Sequence, residues 1–132
     1  MKTPPKLTPA EWRIMEAVWL LGGSTTVRDV LESAFPDGDK AYTTVQTVMN
    51  TLEKKKLLTR EKVGLVNFYT PTCTRDAAVK AEMTSLLSRA FDGSIPALAN
   101  SLLSLDDLSL SELDKIKQLL DRREKELKDE SS

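Results

Sequence analysis

The chain has 132 residues, enough for one domain, or for one small domain with an assembly element. Its 40% hydrophobic and 5% aromatic content supports an aliphatic core, and a formal net charge of −1 gives no whole-chain sign of a polyanionic ligand. With no histidine and one cysteine, Cys73, an intrachain disulfide, a Cys/His zinc site and Ser-His-Asp or Cys-His catalysis are excluded.

No spacing of carboxylates or lysines singles out an acid–base pair, so no enzyme, catalytic residue, metal or cofactor is expected. The N-terminus MKTPPKLTPAEW lacks an apolar signal core, and no run approaches a membrane span. The chain therefore reads as soluble and cytoplasmic, without membrane insertion.

Residues 1–6 are expected to form a frayed arm. Thr8 can then cap a helix, Pro9 suits its first position, and Glu11 completes a capping box. Leu7 and Trp12 fit a hydrophobic staple, Ile14, Met15, Val18 and Trp19 form the inner face, and Gly22-Gly23 stops the helix. Trp12 and Trp19 read as packing residues. Thr25-Thr26 is β-prone and could form one short strand. Val27, Val30, Leu31, Ala34 and Phe35 make the apolar stripe of a second helix, which ends in the turn Pro36-Asp37-Gly38-Asp39.

A third helix is predicted from Tyr42 to Lys56, with Val45, Val48, Met49 and Leu52 inward. Two strands around Gly64, Leu58–Val63 and Leu65–Thr70, alternate imperfectly and read as a solvent-exposed hairpin. After Pro71-Thr72 the chain turns helical. Thr74 can cap a helix with Val79, Met83, Leu86, Leu87 and Ala90 along one stripe, and Gly93 breaks it. Ser94-Ile95-Pro96 starts another helix, with Ile95, Leu98, Ala99, Leu102 and Leu103. The capping box Ser109–Glu112 opens a last, charged helix with Leu113, Ile116, Leu120 and Leu127 inward, and Lys128 to Ser132 is expected to fray.

The fold class is therefore mainly α with a small β-hairpin: a winged helix-turn-helix domain over residues 1–72, then a helical dimerisation domain over residues 73–132. About sixty residues of thin helices make a poor independent core, and a second copy of the chain is the simplest partner surface. The expected dimer contacts are Met83, Leu86, Leu87, Ile95, Leu98, Leu102, Leu113, Ile116 and Leu120.

The third helix carries the chemistry. At 100° per residue, Thr43, Gln46, Thr47, Asn50 and Lys54 lie opposite the apolar stripe, with Thr44 and Thr51 on the shoulders. An ordinary solvated face would be rich in Glu and Lys, which form helices better than Thr and Asn. Amides can bond adenine bidentately, and threonine offers a hydroxyl to a base edge and a methyl to thymine.

Charge placement agrees. Residues 1–72 hold ten Lys/Arg against eight Asp/Glu, residues 73–132 nine against twelve, and no acid lies between Lys40 and Leu52. Lys40, Lys54, Lys55, Arg60 and Lys62, with Lys56 beside them, are candidate phosphate contacts. The hairpin tip Val63-Gly64-Leu65-Val66 has no cation, which gives little support for minor-groove reading. Gly22-Gly23 lacks the GK[ST] of a phosphate loop, Asp37-Gly38-Asp39 is too short for a calcium loop, and Cys73 reads as a small packing residue.

The order TPAEWRIMEAVW, TTVRDVLESAF, AYTTVQTVMNTLEKKKLLTREK, NFYTP and FDGSIPAL resembles the penicillinase-repressor family of the BlaI/MecI type, from about Leu7 to about Leu120. The resemblance implies a winged-helix DNA-binding domain, a helical dimerisation domain, and a homodimer that represses transcription from pseudo-palindromic operators, commonly with TACA/TGTA half-sites. It implies base reading by Thr43, Thr44, Gln46, Thr47 and Asn50, and a wing from Arg60 to Tyr69.

Two features depart from the pattern. The Cys-rich metal motif of the copper-responsive CopY-type members is absent. The Asn–Phe bond cleaved in β-lactam-responsive members, through a membrane sensor protease, is also absent; the nearest segment is Asn100-Ser101-Leu102-Leu103. Two other functions stay open at this point. One is a ligand-gated regulator of the MarR sort, disfavoured because only about seven residues precede the first helix. The other is a winged helix used for protein assembly without DNA.

Overall fold

The computed structural model describes residues 6–131, so all but Lys6 of the expected N-terminal arm lies outside it, as does Ser132. In chain order the elements are α1 (Pro9–Leu21), α2 (Val27–Ala34), α3 (Tyr42–Lys54), β1 (Leu58–Val63), β2 (Val66–Pro71), α4 (Arg75–Phe91), α5 (Ile95–Leu103) and α6 (Leu110–Ser131). The fold is a winged helix, three helices and an antiparallel hairpin, followed by further helices. Two compact units divide between Thr84 and Ser85, inside α4.

The first turns of α4 fall in the first unit because they pack there. Ala78 is buried, the Trp19 indole N–H donates to the Cys73 carbonyl at 2.9 Å, and Arg75 pairs with Glu16 at 2.9 Å. Trp12 and Trp19 pack against the core with ring centroids 6.0 Å apart.

The start of α1 follows its sequence signals. The Glu11 N–H donates to Thr8 Oγ1 at 3.2 Å, and the Thr8 N–H donates to Glu11 Oε1 at 2.8 Å. Gly22 ends the helix with φ of 76°, a left-handed conformation that glycine adopts without penalty. Thr25 makes a single antiparallel bridge with Tyr69, and Thr26 caps α2. One core gathers Leu7, Ile14, Met15, Val18, Val27, Val30, Phe35, Val45, Met49, Leu52, Leu57, Leu58 and Tyr69.

Of the boundaries that differ from expectation, two have a local cause next to the hairpin. Helix α3 stops at Lys54 because Lys56 takes φ of 66°: its N–H donates to the Glu53 carbonyl at 2.9 Å, and the Leu57 N–H donates to the Leu52 carbonyl at 3.0 Å. This is a Schellman end with Leu52 and Leu57 both buried beneath it. No glycine marks it, which hid the stop from the sequence. The second strand begins at Val66, one residue late, because Gly64 and Leu65 form a two-residue turn between paired Val63 and Val66. The φ of 64° at Gly64 is the positive first position that a type II′ hairpin turn needs.

In the second unit, α5 is capped by Ser94 and α6 by the reciprocal Ser109–Glu112 bonds. Helix α6 runs on to Ser131, so residues 128–131, expected to fray, are helical and carry the Lys128–Glu124 pair. Among the described residues of this unit none is buried: Ile95 is 68% exposed, Leu102 54% and Leu120 61%.

Glu11 also receives Lys55 Nζ at 2.7 Å, joining the start of α1 to the end of α3. Burial pushes the Glu11 carboxyl up, but the hydrogen bonds from Lys55 and Thr8 and the Lys55 charge together outweigh it and hold it below its ordinary 4.5. Replacing Glu11→Gln should lower stability by about 1–2 kcal/mol near neutral pH. A carboxyl depressed on folding stabilises above its unfolded pKa, and the gain is lost as the pH falls through the folded value. Urea midpoints of the two proteins should therefore converge in acid, below about pH 4.5. Lys56→Gly should raise stability by about 1 kcal/mol, by removing the left-handed penalty; a lower urea midpoint would refute the Schellman account.

Candidate nucleic-acid interface

With Val45, Met49 and Leu52 fully buried, the opposite side of α3 must face outward. Thr43, Thr44 and Thr47 are exposed there, and Gln46 and Asn50 are half-buried toward one edge. The Thr47 hydroxyl donates to the Thr43 carbonyl at 2.9 Å, and the Thr51 hydroxyl donates to the Thr47 carbonyl at 3.0 Å. These bonds occupy the hydroxyl protons, leaving Thr47 an outward acceptor and a methyl group.

The half-buried edge of α3 faces the hairpin. Gln46, Asn50 and Glu53 recur at i, i+4 and i+7, and each meets it. Gln46 lines a cleft of about 470 Å³ with Leu65, Val66 and Asn67 of the hairpin, Thr26, Val27 and Arg28 of α2, and Tyr42. Asn50 Oδ1 accepts from the Tyr69 hydroxyl at 2.8 Å, and Glu53 pairs with Arg60 Nε at 3.5 Å. The register explains the alignment: Arg60 lies opposite Tyr69 and Lys62 opposite Asn67, so all four side chains share one face of the hairpin.

The predicted cations divide into two groups. Lys40, Lys54 and Lys62 are exposed, and their ammonium groups have no hydrogen bond or ion pair among the described residues. Arg60 is exposed but held by Glu53, with its terminal nitrogens left over. Lys55 points elsewhere: its ammonium is committed to Glu11 and to the Lys6 carbonyl, at 2.7 and 3.3 Å. It serves as a strut of the fold.

Sequence reasoning missed Arg28, which joins the cleft wall and lies 5.8 Å from the Tyr42 ring centroid. A signal was present. A cation in the first turn of a helix opposes the helix dipole, so an Arg two residues after the Thr26 cap suggests an outside partner. Tyr69 was missed as well, because a tyrosine in an exposed hairpin gives no sign that it turns inward. Burial pushes the Cys73 thiol up, away from the reactive thiolate. Among the described residues no acidic or cysteine cluster could hold a metal, and no helix is long and apolar enough to cross a membrane.

A family model described as Penicillinase repressor matches residues 7–122. The chain belongs to the penicillinase repressor family. This is a family of transcriptional repressors, not a class of enzymes. The chain is similar to the penicillinase repressor of Bacillus licheniformis, 26% identical over 129 residues, covering 98% of this chain and all of that one. It is 34% identical over 87 residues to the transcriptional regulator BlaI of Mycobacterium tuberculosis, covering 66% of this chain and 63% of that one. Among solved structures it resembles the DNA-binding domain of the repressor BlaI, with 28% identity and a TM-score of 0.50 over 58% of this chain and 93% of that one. The residues that the family model matches include α3 and the hairpin.

The division of the cations is testable by stability alone. Lys55→Ala should destabilise the fold by about 1–3 kcal/mol, since it strands the buried Glu11 carboxylate. Lys62→Ala should leave the unfolding free energy within about 0.5 kcal/mol of wild type. Equal effects of the two changes would contradict the assignment of Lys55 as a strut.

Proposed function

We propose that this protein is a homodimeric, sequence-specific repressor that lays α3 in the major groove of duplex DNA. The observation that carries the reading is the acid-free face of Thr43, Thr44, Gln46, Thr47 and Asn50, held outward by a fully buried opposite stripe. Thr and Asn weaken a helix, and an amide-and-hydroxyl surface is suited to base edges. Lys40, Lys54, Arg60 and Lys62 surround that face and supply phosphate contacts, which fix register and make affinity depend on salt. Membership of a repressor family, and likeness to a repressor's DNA-binding domain, support the same reading.

Dimerisation through residues 73–132 rests on a different observation. Helices α5 and α6 of the second unit are regular and well capped, yet none of their described residues is buried. An apolar stripe of this length is stabilised by covering it, and a second copy brings a second reading helix to the same duplex. Met83, Leu86, Leu87, Ile95, Leu98, Leu102, Leu113, Ile116 and Leu120 are the proposed contacts. Operators would then be pseudo-palindromic, one half-site for each α3. Release through a membrane sensor protease is not part of this proposal, because Asn100-Ser101-Leu102-Leu103 lacks the Asn–Phe bond.

In vitro selection from a random duplex pool should return a two-fold-related site. Gel shifts on that site should show Gln46→Ala relaxing preference at one base pair by about fivefold or more. Lys62→Ala should weaken binding to all sequences and reduce the log K against log[salt] slope by about one. Sedimentation should give a dimer, with Leu102→Asp shifting it to monomer. Sequence-blind binding by the wild type would sink the reading-helix assignment.

A further inference from the structure

Asn50 and Tyr69 make a hydrogen bond that joins the reading face of α3 to the hairpin. The Tyr69 side chain has no exposed surface, and its hydroxyl donates to Asn50 Oδ1 at 2.8 Å. That is the one hydrogen bond of this hydroxyl among the described residues, and a buried phenol proton needs an acceptor. A carboxamide has two unlike ends. With its carbonyl turned to the phenol beneath, Asn50 turns its NH₂ away from it. Asn50 lies on the outer half of α3, one turn beyond Gln46 and one turn before Lys54.

We infer that Tyr69 is a positioning residue that sets the polarity of Asn50, presenting it to the major groove as a hydrogen-bond donor that selects guanine over adenine. The inference rests on the proposal that α3 reads bases. An asparagine free to rotate pairs with adenine, accepting from N6 and donating to N7. Here the carbonyl end is turned inward to the buried phenol of Tyr69. Guanine offers two acceptors, O6 and N7, to an outward NH₂, whereas adenine sets its N6 amine against it. A side chain in the core thereby determines which base its neighbour on the surface prefers. The same bond ties base choice to the seating of the hairpin, because Tyr69 also bridges to Thr25 and lies opposite Arg60.

The test is selection from a random duplex pool, followed by titration of single-base variants, for wild type, Tyr69→Phe, Asn50→Ala and the double variant. Wild type should prefer guanine to adenine at one position per half-site, and Asn50→Ala should erase that preference. Tyr69→Phe keeps the ring and removes the hydroxyl. It should cut the guanine-to-adenine ratio at that position by about fivefold or more, leaving the other positions and the salt slope unchanged. In the Asn50→Ala background, Tyr69→Phe should change nothing at that position.

Asn50→Asp keeps an acceptor for Tyr69 and turns an oxygen outward. It should move the preference from guanine to cytosine, whose N4 amine donates, so the inference stays testable even if Tyr69→Phe folds poorly. Unaltered base preference in a folded Tyr69→Phe protein, or adenine selected by the wild type at the position that Asn50→Ala erases, would overturn the positioning role and leave the repressor reading standing. A wild type that selects no sequence would overturn that reading, and this inference with it.

Discussion

Val45, Met49 and Leu52 have no exposed surface, and their burial sets the rotation of α3 about its own axis. The other features of the candidate interface depend on that rotation. A helix with three inward side chains spaced at i, i+4 and i+7 cannot turn by even a quarter without exposing one of them, at a cost of about 1.5–3 kcal/mol each. The outer face is therefore presented rigidly, although threonine and asparagine would not by themselves hold a helix in place. The Glu11–Lys55 pair and the Schellman end at Lys56 then fix where the helix stops, before the chain turns into the hairpin.

The hairpin could not stand alone, since two strands in water are marginal. It is anchored at its base by Leu58 and Tyr69, both buried, and by the Thr25–Tyr69 bridge. The same base touches the reading helix through Asn50 and Glu53. The hairpin therefore has two ends of different character. Near Leu58 it belongs to the core, and toward Gly64 and Leu65 it is exposed, forming one wall of the cleft with Gln46 and Arg28. Helix face, cleft and hairpin cations make one continuous surface, because the Gln46–Asn50–Glu53 edge of α3 lies against the inner face of the strands.

The second unit obeys a different constraint. Its helix starts are specified locally, by Ser94 and by the Ser109–Glu112 box, so the helices need no core to define where they begin. None of its apolar residues is buried among the described residues. Propensity and capping determine where a helix runs; only burial gives it tertiary stability. That contrast with α1–α3, where every helix buries its stripe, is the physical basis for proposing a partner copy.

Much of this was legible in the amino-acid order. The capping boxes at Thr8 and Ser109, the glycine stop at Gly22, the apolar stripes and the hairpin around Gly64 are local signals, each contained within a few residues, and the elements follow them. The acid-free face of α3 was legible for the same reason: helical periodicity alone sorts inner from outer residues. Apart from the glycine-free stop of α3 and the end of α6, what failed were contacts between residues far apart in the chain. Nothing local reveals that Lys55 finds Glu11, that Arg28 meets Tyr42 in the cleft, or that Tyr69 turns inward to Asn50. The sequence by itself determined the elements and the chemistry available on each face. Tertiary structure alone decided which of those groups stay outward and which are spent inside, because hydrogen bonds and ion pairs are settled by proximity in space, and proximity is created by packing the core.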